Sequence, residues 1–173
     1  GNPFTNPQPN TASYIVLCEV FNSDDTAHET NTRANLRELV DSIPDSGDMW
    51  FGLEQEYVFV DENGTIDHWS KNQKPQGDYY CGSGGNNVSN DQRQIVETHA
   101  QFCIQSGVNL GGTNAEVMKS QWEYQLNPAP AISQSDQLLI SRYILNRLAE
   151  VRGKYVSYDP KPIEGDWNGS GCH

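Results

Sequence analysis

WFGLEQEYVFV, residues 50–60, decides the fold. It is rich in aromatic and β-branched residues and is followed by the turn-forming Asp61-Glu-Asn-Gly-Thr, so it is predicted to be a strand. Alternate side chains of a strand point to opposite faces. Glu54 and Glu56 therefore share one face, and Leu53, Gln55, Tyr57 and Phe59 share the other. An apolar side backed by carboxylates suits a sheet with helices packed on one face only. Such glutamates either face solvent, the ordinary pattern of a one-sided sheet, or form part of an acidic site.

Downstream, AEVMKSQWEYQL (115–126) carries Glu116 and Glu123. Seven positions apart, they would lie on opposite faces of one continuous strand. A hairpin turning at Lys119-Ser120 would instead pair Glu116 with Glu123, Val117 with Trp122 and Met118 with Gln121. Like charges directly opposite are destabilising, and a bound cation or a shared proton compensates them. Lys-Ser is not a favoured two-residue turn, and a wider loop would loosen this pairing. If the two strand units are neighbours, Glu54, Glu56, Glu116 and Glu123 form an all-oxygen set suited to Mg²⁺ or Mn²⁺ rather than zinc. His173 could add one nitrogen.

The flanking segments complete a pattern of mixed α and β. Tyr14–Phe21 (YIVLCEVF) is expected to be a buried strand after an irregular stretch, 1–13. Asn31–Ile43 has helical apolar spacing at Leu36, Leu39, Val40 and Ile43. Residues 67–90, rich in Gly and Asn, are expected to form a long loop. Asp91–Ser106 is expected to be an amphipathic helix stopped by Gly107. Gln134–Arg152 is the clearest helix, with Ser133 and Asp136 resembling a capping box. His99 is expected in or beside the core, with His28 and His68 as bystanders.

The chain has 173 residues, a one-domain length, with 23 acidic and 11 basic side chains and a net charge of −12. That balance argues against a general nucleic-acid or anionic-membrane surface. No apolar run approaches the ~20 residues of a membrane span, and no signal-peptide pattern is present. Cys18, Cys81, Cys103 and Cys172 lack CxxC spacing and are expected to be free thiols, which fits a cytoplasmic protein.

The blocks WFGLEQEY (50–57), GDYYCG (77–82), GTNAEVMKSQWEYQ (112–125), DQLLISRYIL (136–145) and YDPKPIEGDWNGSGCH (158–173) strongly resemble glutamine synthetase of the eukaryotic type, in order along the chain. The resemblance implies an α+β fold, a largely antiparallel, curved sheet with helices on one side. It also implies an ATP-dependent glutamate–ammonia ligase working through γ-glutamyl phosphate, with Mg²⁺ or Mn²⁺, in a homo-oligomeric ring that is usually a decamer. By resemblance Glu56, Glu116 and Glu123 would hold one metal near the substrate, and Glu54 and His173 another near the ATP phosphates. Trp167, Asn168 and Gly169 would contact glutamate. Trp50 and the stretch from Glu123 to Pro128 would lie on the nucleotide side.

The family's N-terminal β-grasp-like domain and the C-terminal part of its catalytic domain have no counterpart in these residues, so 1–173 is expected to be a partial catalytic domain. None of the six arginines falls in a matching phosphate-gripping motif. Two other readings follow from that: a non-catalytic structural or interaction relative, and a ligase joining glutamate to a different amine.

Overall fold

The structure, a computed structural model, describes residues 14–70, 72, 74, 76–82 and 88–173. Three helices, α1 (Thr32–Ser42), α2 (Asn90–Gln105) and α3 (Ala131–Val151), accompany four strands. The strands are β1 (Trp50–Val60), β2 (Leu110–Ala115), β3 (Gln121–Pro130) and β4 (Tyr155–Ser157). They form one sheet in the order β2-β3-β1-β4, every neighbouring pair antiparallel.

Strand alternation divides the sheet as the 50–60 stretch implies. Tyr57 and Phe59 of β1, with Trp122, Tyr124 and Leu126 of β3, pack under Ile95, Val96 and Cys103 of α2 and Ile144, Leu145 and Leu148 of α3. Both helices thus cover one face and form the main core. On the other face Val58 and Val60 join Ile66 and Met118 in a smaller cluster, flanked by Trp69, Ile163 and Trp167. Behind β1, Arg142 of α3 donates from Nε to Gln55 Oε1 (2.8 Å) and its guanidinium lies 4.7 Å from the Tyr158 ring centre. This clamps the middle of β1 to the longest helix.

Asn31 caps α1 by accepting from the Ala34 N–H, and Ser89 caps α2 by accepting from the Gln92 N–H. Helix α3 starts three residues before the expected Gln134. The expected Ser133–Asp136 box does not cap it: Pro130 stands at the N-cap, and Asp136 instead pairs with Arg33 (2.8 Å). Strand β4 had no signal in the sequence, since three residues are too few to show a period.

Tyr14–Phe21 is not the buried strand its composition suggests. Among the described residues, 14–20 have no ladder partner, and Phe21 makes a single antiparallel bridge to Ala27. Tyr14, Val16, Val20 and Phe21 are exposed. The segment is instead tied by charge, with Glu19 paired to both Arg33 and Arg37 of α1. A run of β-formers becomes a strand only when another edge accepts its hydrogen bonds. Residues 1–13, expected to be irregular, and 71, 73, 75 and 83–87 of the expected loop lie outside the described residues.

The hairpin joining β2 to β3 also differs from the expected register. Ala115 faces Trp122 and Asn114 faces Glu123, a shift of two residues from the expected pairing of Glu116 with Glu123. The connection is wider than two residues: the Gln121 N–H donates to the Met118 carbonyl (3.1 Å) and Ser120 takes a left-handed φ of 61°. An even shift preserves the face of every side chain. Glu116 and Glu123 therefore still emerge on the same side.

His99 lies wholly inside the core. Its Nε2 is 3.0 Å from the Ser141 carbonyl, which can only accept, so that nitrogen carries the proton. Burial pushes its pKa down to about 4. An unfolded chain then takes up the second imidazole proton at a higher pH than the folded one does, and the His99 contribution to stability drops as pH falls from about 6.5 toward 4. His99→Leu should flatten that acid limb, removing at most roughly 3 kcal/mol of pH-dependent loss. Urea midpoints at pH 7 and pH 5 for both proteins test it; parallel declines would show that His99 does not contribute.

Candidate metal centre

Pairing between β1 and β3 builds the acidic site. Glu56 is the direct cross-strand partner of Glu123, and Glu54 of Gln125. Glu116 arrives from the end of β2, its N–H donating to the Gln121 carbonyl (2.9 Å). One carboxylate oxygen from each of Glu56, Glu116 and Glu123 lies within 4.8 Å of the others. All three residues are buried, at 7, 8 and 9 % exposure. Burial and mutual proximity disfavour three like charges at one place, and a bound cation would relieve them. Burial, then the hydrogen bond to Glu123, pushes the Glu116 carboxyl up to about 7.

Neutral amides orient these acids. Asn114 Nδ2 donates to Glu116 Oε1 (3.1 Å), and Gln125 Nε2 donates to Asn114 Oδ1 (2.7 Å) and to Glu123. The backbone N–H of Gly171 donates to Glu56 Oε2 (2.7 Å). Sequence reasoning missed Asn114, Gln125 and Gly171, although the parity of Asn114 and Gln125 with the glutamates was available as a signal.

Glu54 and His173 form a more open flank. Cys172 bridges to Gln55, and the backbone of His173 exchanges both hydrogen bonds with Glu54 (2.9 and 3.0 Å). That pairing carries the imidazole to 3.8 Å from the Glu54 carboxylate and 4.0 Å from that of Glu56. A Cβ on Gly171 would lie 2.4 Å from His173 Nε2, so only glycine admits this imidazole position. All five sequence-derived ligand candidates thus lie along one stretch of one sheet face.

The candidates for substrate and nucleotide distribute differently. Trp167 stacks on Trp69 at 4.4 Å between ring centres, against the smaller core. Asn168 Nδ2 donates to Gln121 Oε1 (2.8 Å), and the Gly169 carbonyl accepts from Gln121 Nε2 (2.7 Å). Pro128 lines a cavity of about 320 Å³ together with Glu54, Asn127 and His173. Trp50 is exposed at the start of β1 and is not part of that lining; its indole N–H donates to the Gly47 carbonyl (3.3 Å). Opposite Gly52 the ladder slips, and Pro128, which has no N–H to donate, sits in the irregularity.

A second acidic group, Asp67, His68 and Asp91, also gathers within 4.8 Å. There Lys154 Nζ stands 2.6 Å from Asp67 and 2.7 Å from Asp91, so one internal ammonium is shared by both carboxylates and offsets one of the two charges. His68, expected to be a bystander, belongs to this ion-pair network. Cys18, Cys81, Cys103 and Cys172 are free thiols. Among the described residues no helix is long and apolar enough to cross a membrane.

An antiparallel sheet with helices on one face and converging carboxylates on the other defines an α+β domain with a candidate site for a divalent cation. The donor set, clustered carboxylate oxygens with one imidazole at the rim, fits a hard divalent cation. Residues 29–173 match the family model for the catalytic domain of glutamine synthetase, and the chain belongs to that family.

Glutamine synthetase of Suillus bovinus is 46 % identical over 172 residues, covering 98 % of this chain and 48 % of that protein. Glutamine synthetase of Gallus gallus is 44 % identical over 172 residues, covering 98 % of this chain and 45 % of that protein. Glutamine synthetase 1, mitochondrial, of Drosophila melanogaster is 45 % identical over 168 residues, covering 96 % and 41 %. The chain thus spans a little under half the length of these relatives. The solved structure of a GmaS/ADP complex superposes with a TM-score of 0.67 at 16 % identity over 82 % of this chain and 32 % of that one, a likeness of fold.

The elevated Glu116 pKa has a sign that can be measured. The folded state holds that proton up to about 7, whereas an unfolded glutamate releases it near 4.5. Without divalent metal, the Glu116 contribution to stability should therefore fall as pH rises from about 4.5 to 7 and level off above, opposite in sign to that of His99. Glu116→Gln should abolish this decline, read as urea midpoints at pH 5 and pH 8 in a chelator. Identical pH dependence in the two proteins would show that Glu116 is ionised throughout.

Proposed function

We propose that residues 1–173 form part of the catalytic domain of an ATP-dependent glutamate–ammonia ligase. The observation that carries this reading is the convergence of Glu56, Glu116 and Glu123 within 4.8 Å, with Glu54 and His173 beside them. In this reading Glu56, Glu116 and Glu123 hold one divalent cation near the amino-acid substrate. Glu54 and His173 hold a second nearer the nucleotide phosphates. Mg²⁺ or Mn²⁺, when bound, neutralises charge on the transferring phosphoryl group.

The carboxylate of glutamate takes the terminal phosphoryl group of ATP, giving γ-glutamyl phosphate and ADP. Ammonia then displaces phosphate at the acyl carbon, and a proton leaves as the amide forms. Glu116 and Glu123 keep their carboxylates on the axis set by Asn114 and Gln125. The Gly171 N–H holds Glu56 in place. Trp167, Asn168 and Gly169 line the glutamate side, and Trp50, Glu123 and Pro128 the nucleotide side. The remaining phosphate contacts come from outside these residues. The working form is a homo-oligomeric ring in the cytoplasm, a compartment that the mitochondrial relative does not share.

Mn²⁺ titration followed by electron paramagnetic resonance tests the assignment. The isosteric double variant Glu56→Gln/Glu123→Gln removes two anionic ligands without opening a cavity. It should weaken binding at least about a hundredfold. Undiminished Mn²⁺ affinity in a folded double variant would sink the site assignment.

A further inference from the structure

Gln121 opens β3 on the same face as Glu123 and is 1 % exposed. Its side-chain amide is fully used. Nε2 donates to the Gly169 carbonyl (2.7 Å) and to Ser170 Oγ (3.3 Å). Oε1 accepts from the Met118 N–H (3.3 Å) and from Asn168 Nδ2 (2.8 Å). Its main chain closes the turn that delivers Glu116, accepting from the Glu116 N–H and donating to the Met118 carbonyl. One residue therefore joins the carboxylate hairpin to the loop at 168–170.

The polarity of this junction is not free. A backbone N–H can only donate and a backbone carbonyl can only accept. The Met118 N–H and the Gly169 carbonyl, on either side of Gln121, thus admit one orientation of its amide. Asn168 must then turn Nδ2 toward Gln121, which leaves Oδ1 as the outward group. No hydrogen bond to Oδ1 occurs among the described residues, and it is not a buried orphan. The loop cannot drift to another position: the Ser170 N–H donates to the Pro160 carbonyl (3.0 Å), and a Cβ on Gly169 would meet that oxygen at 2.6 Å. The loop is pinned between Pro160 and Gln121.

We propose that Gln121 is a positioning residue for amino-acid recognition. It fixes Asn168 so that an acceptor oxygen, rather than a donor, faces the α-ammonium group of glutamate. This rests on the reading of 168–169 as the glutamate loop. A site whose polarity is preset discriminates against a ligand lacking the matching group, because its acceptor is then left unpaired. With Gln121 removed, the Asn168 amide is free to rotate and that discrimination falls.

The test uses the full-length ligase carrying these residues, comparing L-glutamate with glutarate, which lacks the ammonium group. Gln121→Met keeps the volume and removes every side-chain hydrogen bond. Binding of L-glutamate should weaken about tenfold or more while glutarate changes little, so the preference narrows by the same factor. Mn²⁺ affinity, read by electron paramagnetic resonance, should stay within about twofold of wild type, separating this role from general collapse of the site. Equal weakening of both ligands, or loss of Mn²⁺ binding in step with glutamate, overturns the inference.

Asn168→Ala separates it from the reading beneath. If Asn168→Ala weakens glutamate and Gln121→Met does not, only the role of Gln121 falls. If Asn168→Ala leaves glutamate binding intact, the loop assignment falls and this inference with it. Should Gln121→Met fail to fold, Gln121→Leu measured at lower temperature gives the same comparison.

Discussion

Glu56 and Glu123 stand directly opposite each other across the β1–β3 ladder, and the rest of the structure accommodates that fact. Opposed carboxylates destabilise a sheet, so this register must be imposed by something stronger. The other face supplies it. Tyr57 pairs with Trp122 and Gln55 with Tyr124, and these aromatic groups fill the core beneath α2 and α3. A slip of one residue in either strand would drive its glutamate into that core and expose its ring. Hydrophobic burial on one face thus holds charge repulsion in place on the other, leaving a site that a divalent cation can relieve.

The same logic explains what was legible in the sequence. β1 was readable to the residue because its period-2 pattern is strong and a turn closes it. The shared face of Glu116 and Glu123 was readable although their register was not: parity survives the two-residue shift, whereas the exact partners depend on a turn with left-handed Ser120. Tyr14–Phe21 had strand composition but, among the described residues, only the single bridge from Phe21 to Ala27, and pairing is a property of the whole chain rather than of eight residues. Helix α3 begins earlier than its capping pattern suggested because Asp136 is spent on Arg33, a contact more than a hundred positions away.

The polar scaffold was the least readable layer. Asn114 and Gln125 are half-buried and Gln121 is buried, and residue type alone does not mark any of the three for such a place. Their roles follow only once the strand faces are assigned. Asn114 then bonds Glu116 and Gln125, Gln125 bonds Asn114 and Glu123, and Gln121 lies beneath the 168–170 loop with its amide fully used. A buried amide without partners would cost free energy comparable to a lost hydrogen bond, so the network is a condition of folding as well as of geometry.

The chain's last residues show how backbone pairing, rather than side-chain attraction, completes the site. Glu54 and His173 are both largely exposed, and an exposed ion pair contributes too little to order a tail. What orders it is the short ladder along the free side of β1: His173 with Glu54, Cys172 bridged to Gln55, and the Gly171 carbonyl accepting from the Glu56 N–H. Those bonds fill the edge of β1 that the three residues of β4 leave open. The imidazole is therefore placed before any cation arrives, and the side chain it meets was already aimed by the alternation of residues 50–60. Convergence of the acids and arrival of the histidine are two outcomes of one strand pairing on both of its edges.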